Sequence, residues 1–462
     1  MSNIVLVWAA GSGVSALAQL LVELGYTNIV GIDPYAHTVA DQAWYAHIKR
    51  YTEMGVYPLQ STDTVIYSAA RKEAPEVLQA SQQVYDNNKR VSIPRLYFQF
   101  VGDLSKYLTT IAITGTHGKS TTTALTAQLM QTHHPKTACV LLGAWLTKRN
   151  GNNYRVNPAY TQHLRDIINH IIDPRAPGVE DTMKSAYLIV EADEFNKHFL
   201  YLDPDYACIT NADRDHADIY PTREDYLDTM RLFLSKVRHQ AWIPLGAKGQ
   251  TELQDATNLV IVTPQEIPYK HLLHGHNESN GSLALAVTTA TLSADNIALP
   301  DLKTTLLDCT GISRRAEYLG VSKTWAKVFS DYGHHPAEIK STYASFQKQY
   351  PEKNIFVIFQ PHQAQRTVTF WDEFIATLAD IKYGIIYDIY AARETFPMHL
   401  PDGTDITSPT HLWETLASLT HKQYATDRSQ VDTFLASAQQ DDLILLFSAG
   451  NADGLLRAWV RE

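Results

Sequence analysis

The chain contains 462 residues, roughly three times the length of an average domain, which predicts two or three domains. Its 45% hydrophobic and 19% charged residues exclude a disordered or collagen-like protein. The net charge of −10 argues against a general affinity for nucleic acid, and three widely spaced cysteines exclude a disulfide scaffold.

The predicted elements begin with an apolar run at residues 4–10. This run lacks the basic flank of a secretory signal, and it is far shorter than the ~20 residues that cross a membrane. Because few cysteines also suit a reducing compartment, we expect a cytoplasmic protein without membrane insertion.

The first region alternates short apolar runs with a helical pattern. Residues Ile4–Val7 predict a buried strand, and the pattern at 14–25 predicts a helix that stops at a glycine. Further strands are predicted at Ile29–Ile32 and 64–67. Alternation of strand, helix and strand is typical of a parallel sheet.

A glycine turn, Gly11-Ser12-Gly13, joins the first strand to this helix. Helix-start amides bind phosphate well, and Asp33, about twenty residues later, could accept from a ribose hydroxyl or a base N–H. The pattern G-x-G-x-x-G is nevertheless incomplete, because other residues stand where its glycines belong: Trp8, Ala10 and Ala16. The turn predicts either a nucleotide diphosphate site or plain strand–turn–helix structure. Trp8 is expected either to form an apolar wall beside the nucleotide or to pack in the core.

The strongest chemical pattern is a loop between a strand predicted at 111–113 and the helix that follows. Its spacing, G-x-x-G-K-S, is shorter than the general P-loop but has the flanks of a phosphate-binding loop: Gly115, Thr116, His117, Gly118, Lys119, Ser120 and Thr121. Lys119 can reach the β- and γ-phosphates, and the Ser120 hydroxyl can ligate Mg²⁺. The alternative is a structural turn.

Acidic residues follow a strand predicted at 186–192. A carboxylate at a strand end beside a phosphate loop is well placed to hold Mg²⁺. Alternation along the strand predicts that Glu191 and Asp193 share a face while Glu194 points elsewhere. The alternative is a solvated acidic turn.

His216 lies among carboxylates after a strand predicted at 206–211. It could ligate a second metal ion, or it could be an ordinary surface or core histidine. Zinc is not favoured, because the close histidine pairs lack further ligands at helical spacing and an adjacent cysteine. Arg314 and Arg315 could neutralise phosphate charge or simply lie on the surface.

Two other regions complete the organisation. The polar stretch at 147–184 looks like an excursion from the central region with one helix around 161–172, and a helix rich in small residues is predicted at 279–294. A third region begins near Gly311, with three predicted strands: 355–359, 383–390 and 442–448.

Taken together, these segments resemble the Mur ligase family, the ATP-dependent amide-forming enzymes of peptidoglycan precursor synthesis. The resemblance runs in the same order from about residue 4 to residue 454. It rests on these motifs: TGTHGKSTTT, VEADE, NADRDHADIY, HNESNGSLALA, GISRRAEYLG, SDYGHHPAEI, FQPHQAQRT and DIYAARE.

The resemblance implies an α/β fold with three domains. These are a Rossmann-like, UDP-sugar-binding domain at 1–108, a central P-loop ATPase-type domain at 109–310, and a Rossmann-like C-terminal domain at 311–462. The last is expected to close over ATP and the amino acid.

The implied reaction is ADP-forming amide synthesis with ATP and Mg²⁺ as cofactors. ATP phosphorylates the lactyl carboxylate of UDP-N-acetylmuramate, and the amine of an amino acid then displaces phosphate. The motifs are most similar to the branch that adds L-alanine. One alternative is the recycling branch, which adds the tripeptide L-alanyl-γ-D-glutamyl-diaminopimelate. Another is a catalytically inactive ATP-binding homologue, whereas an NAD-dependent oxidoreductase does not explain the ATP loop.

The resemblance also implies roles for single residues. Lys119 would contact the γ-phosphate, Ser120 and Glu191 would hold the first Mg²⁺, and His216 would bind a second metal. Further ATP contacts are implied for His276, Asn277, Arg315 and Asp331. Substrate contacts are implied for Gly11, Ser12, Gly13, Asp33, Ser68 and Tyr332. The residues expected to be catalytic are Lys119, His216, His335 and Arg366.

Three features depart from the family pattern. Trp8 and Ala10 replace the usual glycines of the first loop, the stretch 147–184 is long for this branch, and Arg393 stands where a glycine is usual.

Overall fold

The chain forms two compact units in the computed structural model. The first comprises residues 1–270 and 277–309, and the second comprises residues 271–276 and 310–462. The residues that the structure describes are 3–9, 12–34, 43–83, 94–143, 153–173, 176, 184, 186–213, 219–267, 269, 276–307, 309, 311–388 and 396–461.

The first unit begins with a five-stranded parallel sheet in the order β3-β2-β1-β4-β5. Its elements are β1 (Ile4–Val7), α1 (Ser12–Glu23), β2 (Ile29–Ile32), β3 (Lys49–Tyr51), β4 (Thr64–Tyr67), α2 (Pro75–Gln83), β5 (Arg95–Leu96) and α3 (Tyr97–Tyr107). Short 3-10 helices cover Ala43–His47 and Ala69–Arg71. The strands predicted in this region from apolar runs are confirmed with the same bounds. Strands β1 and β2 are buried throughout, which explains why their sequences are continuously apolar.

The same unit contains a seven-stranded sheet in the order β12-β11-β10-β6-β9-β7-β8, parallel except where β8 pairs with β7. Its elements are β6 (Thr109–Thr114), α4 (Lys119–His133), β7 (Thr137–Leu141), β8 (Tyr154–Val156), α5 (Thr161–Ile172), β9 (Tyr187–Glu191), β10 (Tyr206–Ile209), α6 (Arg223–Lys236), β11 (Gln240–Pro244), α7 (Gln250–Leu253), β12 (Leu259–Val262), α8 (His276–Ala294) and α9 (Leu302–Leu307).

The helix predicted inside the polar stretch is present as α5. Its sequence carries apolar residues at helical spacing, and that face is buried: Leu164, Ile167, Ile168 and Ile171. These residues belong to one continuous apolar core that also includes Leu17 of α1 and Phe100 of α3. The two sheets of the first unit therefore share a core.

The second unit contains a six-stranded sheet in the order β13-β14-β20-β15-β16-β19, parallel except for β13. Its elements are β13 (Glu317–Val321), β14 (Lys327–Asp331), α10 (Pro336–Gln349), β15 (Ile355–Gln360), α11 (Ala364–Thr369), α12 (Trp371–Ala379), β16 (Tyr383–Tyr387), β17 (Met398–His399), β18 (Asp405–Ile406), α13 (Pro409–Leu419), β19 (Gln423–Ala425), α14 (Arg428–Ala436), β20 (Leu443–Ser448) and α15 (Ala452–Arg457). Strands β17 and β18 form a separate two-stranded antiparallel sheet.

The α/β class predicted from the sequence is confirmed. The strand predicted at 383–390 ends at Tyr387, and residues 389–395, including Arg393, lie outside the described residues. Within the described ranges, no helix is long and apolar enough to span a membrane. The bounds of the three predicted domains, 1–108, 109–310 and 311–462, remain predictions.

Candidate active site

The phosphate loop joins β6 to the first turn of α4, as predicted. Gly115 has a φ of 121° and Gly118 a φ of 87°, values that favour glycine. A Cβ at Gly115 would lie 2.4 Å from the Thr210 hydroxyl oxygen, and one at Gly118 would lie 2.6 Å from Asn280 Oδ1. The two positions leave no room for a Cβ, and the loop leads directly into the N-terminus of α4, where helix amides are able to bind phosphate.

The side chain of Lys119 is held by two carbonyls of its own loop, those of Gly115 and Thr116, and by the carboxylate of Glu194. Its Nζ donates to the carbonyl of Gly115 at 2.6 Å and lies 2.9 Å from Glu194 Oε2. Burial tends to lower the pKa of Lys119, but Glu194, Asp193 and Glu191 outweigh burial and raise the pKa above its ordinary value. The lysine therefore stays charged and can contact an anionic substrate.

Glu191 connects the phosphate loop to the end of β9. Its Oε1 accepts from Ser120 Oγ at 2.9 Å, and its Oε2 accepts from the Gly143 amide at 2.9 Å. A hydroxyl and a carboxylate are hard oxygen donors, which suit Mg²⁺. The described residues contain no cluster of three or more His, Cys, Asp or Glu that could hold a metal by itself. The donor pair of Ser120 and Glu191 therefore fits a Mg²⁺ whose other ligands would be phosphate oxygens and water.

The prediction that Glu194 points away from the site is wrong. Strand β9 ends at Glu191, so the alternation of the strand stops before Asp193 and Glu194. Glu194 is almost completely buried against Lys119. Asp193 instead accepts from the Phe195 amide at 3.1 Å and lies 3.7 Å from His198 Nδ1.

Two asparagines that the sequence analysis missed support the loop from neighbouring elements. Asn211 Nδ2 donates to the His117 carbonyl at 2.9 Å, and Asn280 Oδ1 accepts from Thr122 at 3.2 Å. Asn280 Nδ2 also donates to Asn277 Oδ1 at 3.0 Å. The motif HNESN predicts the contact between Asn277 and Asn280, because residues three apart on a helix lie on the same face.

The carboxyl ends of β1, β2 and β4 meet at one edge of the N-terminal sheet, where Trp8, Asp33 and Ser68 lie. Asp33 is buried, and the Ser68 amide donates to the Val7 carbonyl at 3.3 Å. Trp8 has a φ of 70° and is only half-buried, so the expectation of core packing is wrong. The guanidinium of Arg71 instead stacks on the indole at 3.7 Å. Sequence reasoning missed Arg71.

Asp331 ends β14 in the second unit and accepts two backbone hydrogen bonds. The donors are the amides of Ala316 at 2.8 Å and Gly333 at 2.7 Å. Burial raises the pKa of Asp331 to about 6, although the positive charge of Arg315 opposes this shift. Arg315 also stacks on the ring of Tyr332 at 5.2 Å. The predicted residues Arg315, Asp331 and Tyr332 therefore lie together.

His335 and His334 have different environments. His335 accepts from the Ala337 amide through Nδ1 at 3.2 Å and so caps α10. The ring of His334 contacts the rings of Tyr332 at 5.3 Å and His362 at 5.8 Å. The structure thus gives His335 a structural contact, and its catalytic role stays a prediction.

Both contacting imidazoles are uncharged near neutral pH. Burial lowers the pKa of His334 to about 3, where Glu338 opposes the shift and Arg366 adds to it. Burial and the charge of Arg366 lower the pKa of His362 to about 4. Arg366 therefore acts electrostatically on both histidines, and sequence reasoning missed these two partners.

Several predicted residues lie outside the described part of the chain. Gly11 and His216 fall in undescribed segments, and the side chains of Ser12 and His276 are likewise not described. Gly13 lies in the first turn of α1, where a Cβ would come within 2.9 Å of the Tyr97 ring.

A glycine loop between a parallel strand and a helix, with a serine–glutamate pair beside its lysine, is typical of nucleotide-binding α/β proteins. Two family descriptions narrow this class. Mur ligase middle domain matches residues 113–258, and Mur ligase, glutamate ligase domain, matches residues 314–450. The chain belongs to the Mur ligase family.

Curated relatives extend the similarity to nearly the whole chain. A UDP-N-acetylmuramate–L-alanine ligase of Aquifex aeolicus is 28% identical, with 98% of this chain and 96% of the relative covered. The ligase of the same name from Ruthia magnifica is 27% identical over 87% of this chain and 86% of its own.

Two solved structures show the same fold. The UDP-N-acetylmuramate–alanine ligase of Thermotoga maritima superposes with a TM-score of 0.70 at 20% identity, covering 99% of this chain and 98% of that one. A murein peptide ligase of Psychrobacter arcticus superposes with a TM-score of 0.58 at 18% identity and the same coverage.

Proposed function

We propose that this protein is an ADP-forming ligase that joins L-alanine to UDP-N-acetylmuramate, a step of peptidoglycan precursor synthesis. The hydrogen bond between Ser120 of the phosphate loop and Glu191 at the end of β9, next to the loop lysine Lys119, carries the proposal on the ATP side. Similarity to ligases of that name over 98% of the chain supports the substrates. These are small molecules of the cytoplasm, where we place the protein.

The chemistry explains why a ligase needs these residues. A carboxylate is a poor electrophile, so transfer of the γ-phosphoryl group turns one of its oxygens into a leaving group. Lys119 would stabilise the charge that develops on the transferred phosphoryl oxygens. Mg²⁺, held by Ser120 and Glu191, would neutralise the phosphate charge. His216 remains the proposed ligand of a second metal.

The second unit would supply contacts to ATP and the amino acid. Asp331 would accept a ribose hydroxyl, and Arg315 would bind an ATP phosphate. Arg366 is the cation proposed to hold the amino acid carboxylate. Because His334 and His362 are uncharged near neutral pH, they add no positive charge that would repel the ammonium group.

The N-terminal sheet would bind the UDP moiety at the edge where Asp33 and Ser68 lie. The amides that open α1 would face the diphosphate, in the turn that contains Gly11, Ser12 and Gly13. The stacked pair of Trp8 and Arg71 adds an aromatic face and a cation at this edge. We assign residues 1–108, 109–310 and 311–462 to UDP-sugar binding, ATP binding and ligase domains.

The test is a substrate panel with ATP, Mg²⁺ and UDP-N-acetylmuramate, followed by ADP release and product mass. L-alanine should give an amide product. Reaction with the tripeptide but not with L-alanine would select the recycling ligase. No ADP release with any amine would indicate an ATP-binding protein without ligase activity.

A further inference from the structure

The described part of the polar excursion packs within the first unit. Its described residues, 153–173, include β8, which packs against α1 of the N-terminal sheet, and α5, which packs against α3. Helix α1 is the element that follows the proposed diphosphate turn. The excursion therefore connects the seven-stranded sheet, which carries the phosphate loop, to α1, whose amino end is proposed to face the UDP diphosphate.

A buried polar contact joins the two elements at the middle of α1. Gln19 Nε2 donates to Asn153 Oδ1 at 2.9 Å, and Asn153 Nδ2 donates to Ser15 Oγ at 3.2 Å. All three residues are at most 1% exposed. Buried polar partners fix relative position more strictly than apolar contact does, because each displaced group would lose a hydrogen bond without gaining water.

A second contact holds the carboxyl end of α1. Arg165 of α5 donates through Nη1 to the carbonyl of Leu24, and its guanidinium lies 5.2 Å from the ring of Tyr26. The Tyr26 hydroxyl donates to Asn169 Oδ1 at 2.8 Å. A cation beside the last carbonyls of a helix also interacts favourably with the helix dipole. One arginine thus anchors this end of the helix to α5.

The amino end of α1 packs against α3. A Cβ added at Gly13, in the first turn of α1, would lie 2.9 Å from the ring of Tyr97, the residue that starts α3. Neighbouring elements of the first unit therefore contact α1 at both of its ends, α3 at the amino end and α5 at the carboxyl end.

We propose that Arg165 and Asn153 are positioning residues, which hold α1 so that the carboxylate of the UDP-sugar lies in line with the γ-phosphate on the phosphate loop. This inference rests on the proposed function. Phosphoryl transfer requires the reacting atoms to be about 3–3.5 Å apart, and a displacement of about 1 Å can cost as much as 10²-fold in rate. Asn153 and Arg165 contact α1 and the residues that follow it, so each would act through α1.

The test compares Arg165→Ala with a matched control, Arg231→Ala, whose guanidinium forms ion pairs on the exposed face of α6. In the full-length protein we expect Arg165→Ala to lower kcat about tenfold, while KM for ATP and for UDP-N-acetylmuramate stays within about twofold. Amide hydrogen exchange should accelerate in α1 and stay unchanged in α4. Arg165→Lys should recover part of kcat, and Arg231→Ala should leave both measurements unchanged.

Two results would overturn the proposal: unchanged exchange in α1, or faster exchange there with an unchanged kcat. If Arg165→Ala does not fold, Tyr26→Phe keeps the ring and removes the hydrogen bonds of the hydroxyl to Asn169 Oδ1 and the Arg165 carbonyl, and the same two criteria apply to it. A wild-type protein that forms no amide with any amine would refute the proposed function and, with it, the positioning role. Faster exchange of α1 in the variant would then show that the failure lies in the function and not in the contact between α5 and α1.

Discussion

Lys119 and Glu194 form an ion pair of 2.9 Å in which the carboxylate is almost completely buried. The pair fixes the lysine of the phosphate loop at the base of the candidate site. A buried carboxylate without its cation is costly, so the two residues are coupled in stability as well as in function.

Lys119→Ala should abolish ATP-dependent product formation and also lower the free energy of unfolding by about 3 kcal/mol, because it removes the cation that pairs with the buried carboxylate of Glu194. Denaturant unfolding and ADP release measure the two effects. The double variant Lys119→Ala/Glu194→Gln should recover most of the stability but no turnover. Near-wild-type turnover in the folded single variant would refute the ATP site.

Glu191→Gln should raise the Mg²⁺ concentration needed for half-maximal activity and lower turnover at saturating metal. The amide keeps the shape of the side chain but loses the charge that attracts the ion. A Mg²⁺ titration of ADP release measures both quantities. An unchanged titration would move the metal role to Asp193 or Glu194.

Arg71→Ala should weaken binding of UDP-N-acetylmuramate about tenfold, because it removes the cation at the edge of the N-terminal sheet. Calorimetry on the full-length protein measures the affinity, and the exposed neighbour Lys72→Ala is the control. The same experiment with UDP and NAD tests the domain assignment. Binding of NAD without either UDP ligand would contradict it.

The raised pKa of Asp331 predicts that ATP binding depends on pH. Its folded pKa of about 6 lies above the ordinary value of 3.8, so the folded protein retains a proton between these values and its stability falls as pH rises from about 4 to 6. The charged carboxylate is the stronger acceptor of a hydrogen bond from a ribose hydroxyl, so KM for ATP should rise as pH falls through 6. Asp331→Asn should remove this pH dependence, and a variant that retains the wild-type profile would exclude Asp331 as its source.

Local patterns were sufficient where one segment specifies its own structure. The strand of Ile4–Val7 and the loop before α4 were predictable because apolar runs and glycine positions are local features. The helix Thr161–Ile172 was predictable because its apolar residues recur at helical spacing.

Contacts between distant segments were not predictable from one sequence. Arg71 meets Trp8 only because β1 and β4 are neighbours in the sheet, and Arg165 meets Leu24 only after α5 packs on α1. The orientation of Glu194 was not predictable from strand alternation, because β9 ends at Glu191 and the alternation stops there. The different environments of His334 and His335 depend on where α10 begins.

The most direct test is the mass of the product formed from UDP-N-acetylmuramate, ATP, Mg²⁺ and L-alanine by the full-length protein. We expect ADP in equal amount to a product whose mass is the sum of the sugar nucleotide and L-alanine minus one water. ADP release only with the tripeptide, or with no amine at all, would contradict the proposed L-alanine ligase.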